Sequence, residues 1–87
     1  MKSERLKLFE QGLDECNALL CRFPDSRALQ SIKKQIEFLI GLEKGTEHDV
    51  ARLREITIGV LTAREVEPLD EDVAEVFYKI AGEATRL

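Results

Sequence analysis

Leu6, Phe9, Leu13, Cys16 and Leu20 follow one another at alternating steps of three and four, the spacing that lines one face of a helix. The pattern predicts a first helix over about residues 3–22. Pro24 ends it, because its ring removes a donor and pushes Phe23 out of the helical region. A second segment, about 26–43, repeats the pattern with Leu29, Ile32, Ile36, Leu39 and Glu43, and Ile40 beside them. Gly45 stands just beyond it, where a left-handed stop is expected. A last segment, about 70–86, carries Val73, Phe77, Ile80, Ala84 and Leu87 on one stripe. It opens with Asp70-Glu71-Asp72, which places negative charge at the positive end of the helix macrodipole.

The stretch between them, "REITIGVLTAREVE" at 54–67, reads locally in two ways. Its run Ile56-Thr57-Ile58 is β-branched and strand-like, and Gly59 costs a helix interior about 1 kcal/mol relative to Ala. Taken over a longer window, Val50, Leu53, Ile56, Val60 and Leu61 share a helical face. Thr46-Glu47-His48-Asp49 resembles a capping box, with Asp49 in place of the usual Glu. A lone strand would also have no partner elsewhere in the chain. The expectation is therefore a third helix beginning near Val50, and an all-α fold: a small bundle of four antiparallel helices forming one domain over 1–87. Gly59 is expected to mark a close approach of another helix, so that Gly59→Leu disrupts folding or partner binding.

Helix two carries a second stripe, Ser31, Gln35, Phe38 and Leu42, turned by about 100° from the first. Either helix two is central and meets neighbours on both sides, or this stripe is an exposed partner surface with Phe38 as its aromatic anchor.

Composition narrows the function. A chain of 87 residues, 44% hydrophobic and 34% charged, fits a soluble globular domain with a modest core. No apolar run reaches the roughly 18 residues of a membrane span, and the N-terminal MKSERLKLFE has no apolar signal core, so the expected location is cytoplasmic. Cys16 and Cys21 would project about 140° apart on a helix, which makes a local disulfide improbable and leaves two small apolar residues expected to be buried or half-buried. The net charge of −4 is uneven: residues 1–44 carry +1 and residues 45–87 carry −5. The densest patch, EVEPLDEDVAE at 65–75, holds six carboxylates and no cation. Nucleic acid is the wrong partner for that sign, because binding it requires cations that displace counterions from phosphates. A basic protein surface is the better match.

Catalytic signatures are absent. His48 is the lone histidine, and neighbouring Glu47 and Asp49 point away from it on a helix. There is no HExxH, phosphate-binding loop, GxSxG or EF-hand spacing. Glu71 and Glu75 lie four apart and could share a metal, as paired carboxylates do in helical nucleotide pyrophosphohydrolases. No second such pair accompanies them, and Glu75 is also spaced to pair with Lys79. The reading is a non-enzyme without metal or cofactor.

Two stretches carry a resemblance: "FPDSRALQSIKKQIEFL" at 23–39 and "ITIGVLTAREVE" at 56–67. In order, they present Phe23-Pro24, Leu29, Ser31, Lys34-Gln35 and Phe38, then Ile56-Thr57-Ile58-Gly59, Leu61 and Arg64-Glu65-Val66. With the acidic turn that follows, this resembles the small all-helical immunity proteins of type VI secretion that neutralise NAD(P)+ glycohydrolase effector toxins. The resemblance runs over about residues 5–81. It implies a protein that binds its cognate toxin domain, blocks the toxin's active site and so protects the producing bacterium and its kin. The residues expected to meet the toxin are Glu65, Glu67, Asp70, Glu71, Asp72 and Glu75, with Gln35 and Phe38. Beside it stand a self-associating helical adaptor, dimerising through the second stripe of helix two, and the carboxylate-metal pyrophosphohydrolase.

Overall fold

A computed structural model describes residues 3–87. Helix α1 spans Glu4–Arg22, α2 spans Arg27–Lys44, and α4 spans Glu71–Ala84. Between α2 and α4 the chain forms a 3₁₀ segment, Val50–Glu55, and then α3, which comprises an α-turn at Ile58–Leu61 running into a π-turn at Thr62–Val66. No strand occurs among the described residues, and the all-α, four-helix architecture is as expected.

Each long helix has the start that its sequence encodes. Ser3 and Ser26 accept hydrogen bonds from the Leu6 and Leu29 amides, and Asp70 accepts from those of Asp72 and Val73. Helix α2 ends on Gly45 at φ +80°, a left-handed position that suits glycine.

Contacts between ends fix the directions. Arg5 near the start of α1 reaches Glu43 at the end of α2 and Glu83 at the end of α4. Farther along, the Cys16 thiol of α1 donates to the Leu29 carbonyl of α2 at 3.3 Å. Gln35 of α2 holds Thr57, while Ser26 and Arg27 lie beside Arg64 and Glu65. Gly59 faces Ala81, and Glu67 bonds Tyr78. Every pair of packed neighbours therefore runs antiparallel.

The core joins Phe9, Cys16 and Leu19 of α1 to Leu29, Ile32, Ile36, Phe38 and Leu39 of α2. Ile58 and Val66 of α3, and Val73, Ala74, Phe77, Ile80 and Ala84 of α4, complete it. The α1 stripe is rotated from the expected one, with Gly12 and Leu19 buried and Leu13 and Leu20 only partly so. Gly12 lets α4 approach closely, since a Cβ there would collide with Ile80 Cδ1. In α4, Leu87 lies beyond the helix and is exposed.

The third helix departs most from expectation. It does not begin at Val50, and the stripe assigned to it holds only in part: Leu53, Ile56 and Leu61 pack partly buried against the core, but Val50 and Val60 are 64% and 58% exposed. The buried positions are Ile58, Thr62 and Val66. Ile56 is extended and Thr57 lies outside the helical region, so the β-branched run interrupts the helix without pairing as a strand. The capping box does not form. Thr46 Oγ1 donates to the Gly41 carbonyl, and Glu47 Oε1 accepts from the His48 and Asp49 amides. In a regular helix, two steps of four residues each overshoot a full turn by about 40°. The wider π-turn, closed by Glu67 N–H to Thr62 O at 2.9 Å, takes up that drift and keeps Val66 in line with Ile58.

Candidate partner-binding surface

The acidic turn is assembled from the end of α3, the loop 67–70 and the start of α4. Val66 anchors it in the core, and the Leu69 and Asp70 amides both bond the Val66 carbonyl. Asp70 Oδ1 accepts from the Asp72 and Val73 amides at 3.0 and 3.1 Å, so this carboxylate caps α4. Glu67 accepts a 2.6 Å hydrogen bond from the Tyr78 hydroxyl, about two turns into α4. That bond, with the negative charge beside it, pushes the phenol pKa up. Both ends of the turn are thus pinned, and five of the six expected carboxylates, Glu65, Glu67, Glu71, Asp72 and Glu75, remain exposed. Asp70 is half-buried. Glu65 faces the α2 side, where it borders a groove with Ser26 and Arg27. Glu75 and Lys79 form no ion pair.

Glu15 of α1 joins this patch, a member that one-dimensional reading missed. Burial of the carboxylate, followed by repulsion from Asp70 and Asp72, raises its pKa above the ordinary value. The only local signal was its position next to Cys16, at the border of the buried stripe. Its approach to the start of α4 required the antiparallel packing of α1 and α4. Among the described residues, no group of three or more His, Cys, Asp or Glu side chains could hold a metal ion.

Gln35 and Phe38 are placed differently from the acidic residues. Phe38 is only 8% exposed and belongs to the core, with the Arg52 guanidinium 4.6 Å above its ring. It is not the exposed anchor that its stripe suggested. Gln35 accepts from the Thr57 amide at 2.7 Å and donates to the Thr57 and Ser31 hydroxyls, both at 3.0 Å. The second stripe of α2 is therefore the seat of the 3₁₀ segment and the start of α3, and α2 is the central helix that meets neighbours on both sides. Dimerisation through that stripe, as an adaptor would require, would have to displace these contacts.

The remaining candidates have plain surroundings. The Cys16 thiol is buried, and desolvation pushes its pKa up to about 11, so it stays protonated as a donor to Leu29. Cys21 is exposed, contrary to the expectation of burial, and both cysteines are free. No helix of the described residues is long and apolar enough to cross a membrane.

Comparison with known proteins adds one match. No curated protein and no solved structure matches the chain. The model of the Tsi6 family matches residues 4–86, which takes in all four helices and the acidic turn. The chain belongs to the Tsi6 family of type VI secretion immunity proteins.

Proposed function

We propose that the chain neutralises an NAD(P)+ glycohydrolase effector by binding its toxin domain in the cytoplasm and covering the dinucleotide cleft, without chemistry of its own. The observation that carries this reading is the family match over 4–86. The toxin's class rests on the motif resemblance in 23–39 and 56–67. The acidic turn is the docking surface, with Glu65, Glu67, Glu71, Asp72 and Glu75 presented to the partner and Asp70 holding the start of α4. Gln35 and Phe38 contribute indirectly, by fixing the segment that leads into that surface.

The physics is compatible. A pinned turn on a small bundle loses little conformational entropy on binding. Clustered carboxylates accelerate encounter with a basic surface, and a cleft that attracts an anionic dinucleotide supplies one. Negative charge at the mouth of that cleft also disfavours the substrate.

The test is co-purification with the toxin encoded by the neighbouring gene, followed by an NAD+ and NADP+ consumption assay. Stoichiometric inhibition is expected, and full toxin activity at saturating protein would refute the reading. Replacing Glu65, Glu67, Glu71 and Glu75 together by Lys is expected to weaken toxin binding by about tenfold or more and to flatten its salt dependence. Asp70 is left intact in that variant because it caps α4.

A further inference from the structure

The opposite charge gathers elsewhere, on the face where α3 and the 3₁₀ segment cross α2. Two hollows of about 570 and 210 Å³ meet there at Ser31. Apolar side chains form the floor, Ala28 and Leu61 in the larger hollow and Phe38 and Ile56 in the smaller. Arg27, Lys34, Arg52 and Arg64 stand around it, against two carboxylates, Glu55 and Glu65. None of these four cations is paired with a carboxylate of a described residue. Arg52 is held over Phe38 instead. The first turn of α2 has no acidic residue and carries Arg27, on the wrong side of the balance for the positive end of a helix. After the Asp49 and His48 amides, nearby Arg52 also helps to lower the pKa of the Glu47 carboxylate. With four cations against two carboxylates in the lining, a chain of net charge −4 still gathers an excess of positive charge over an apolar floor in one groove.

We infer that this groove docks an acidic peptide segment with interspersed apolar residues, contributed by a partner protein, at a surface that is centred on α2 and adjoins the acidic turn only at Glu65. The carboxylates of such a segment meet Arg27, Lys34, Arg52 and Arg64, and its apolar side chains cover Ala28 and Leu61. Arginine favours this recognition, since its planar fork can take a carboxylate through two parallel hydrogen bonds. The inference does not depend on the toxin being a glycohydrolase, and its test needs no toxin.

The test is an NMR titration of the isotopically labelled protein with an eight-residue peptide alternating Glu and Leu, beside the same peptide with Lys for Glu. Expected are shifts centred on the amides of Ser31 and Leu61, seen with the Glu peptide only and reduced by added salt. The double variant Arg27→Glu, Arg64→Glu should weaken the response by about tenfold. Arg27→Lys with Arg64→Lys should retain most of it, and Lys7→Glu on α1 should leave it unchanged. The variant side chains are exposed and form no hydrogen bonds with described residues, Lys7 making only an exposed 3.7 Å ion pair with Glu4, and a thermal melt confirms that each protein folds. The proposal is overturned by an absence of shifts at millimolar peptide, by shifts centred elsewhere, or by an undiminished response in the charge-reversed protein.

Discussion

Among the described residues, Thr62 is the one polar residue with a fully enclosed side chain in the core, and its hydroxyl finds no hydrogen-bond partner there. An unsatisfied buried hydroxyl costs more than the methyl that could replace it, so Thr62→Val should raise stability by about 1 kcal/mol. Urea denaturation with an unchanged m-value would read this directly. Glu15 offers a second test, of pH dependence. Its raised pKa means that the folded chain holds this proton where the unfolded chain has lost it, just above the ordinary carboxylate value of 4.5. Over that window the native state binds more protons, so this group's contribution favours folding at lower pH and is lost as pH rises. Glu15→Gln should therefore increase the neutral-pH melting temperature and remove that part of the pH dependence. Equal melting curves for the two proteins from pH 4 to 7 would contradict the burial and the repulsion from Asp70 and Asp72.

At the scale of elements, α3 depends on its neighbours more than the other helices do. Its regular α part is a single turn, far short of the length at which a helix persists alone in water. What holds it is the core burial of Ile58 and Val66 and the clasp of Gln35 on Thr57. Gln35→Ala should cost about 1 kcal/mol and speed amide exchange in residues 50–61, while the amides inside α1 stay protected. The glycines divide on the same grounds. Gly59 does approach α4, but a Cβ there would meet Ala81 at an ordinary 3.7 Å; the tight positions are Gly12, against Ile80 Cδ1, and Gly41, where a Cβ would lie 2.9 Å from Glu47 Cβ.

In the molecule as a whole, three helices are tied at one end by a single side chain. Arg5 Nε donates to Glu83 at 3.1 Å and Nη1 to Glu43 at 3.4 Å, and Ser3 Oγ reaches the other Glu43 oxygen at 3.0 Å. Arg5→Ala should lower the melting temperature by a few degrees, and Arg5→Lys should not restore it, because an ammonium lacks the fork that spans two carboxylates. Equal melting temperatures for all three proteins would show that the tie contributes nothing. At the opposite end, α4 begins among Glu15, Asp70 and Asp72, while the basic groove opens along α2. The fold has gathered the two signs of charge into adjoining patches that meet at Glu65, and each can meet a different chemistry.

The sequence by itself determined the all-α class, the turns at 23–26 and 45, the acidic character of 65–75 and the family resemblance. These are local properties, written in spacing, caps and composition. Val73, Phe77, Ile80 and Ala84 line the buried face of α4 because a long helix with one apolar stripe has one way to hide it. Only the tertiary structure decided the path of residues 50–66, the burial of Phe38 beneath Arg52, and the meeting of Glu15 with the start of α4. Where β-branched residues and a glycine left helical preference weak, the core selected Ile58, Thr62 and Val66 over the stripe that periodicity favoured. The basic groove was hidden for a related reason. Arg27, Lys34, Arg52 and Arg64 are spread over 38 positions and come together only when α3 lies across α2.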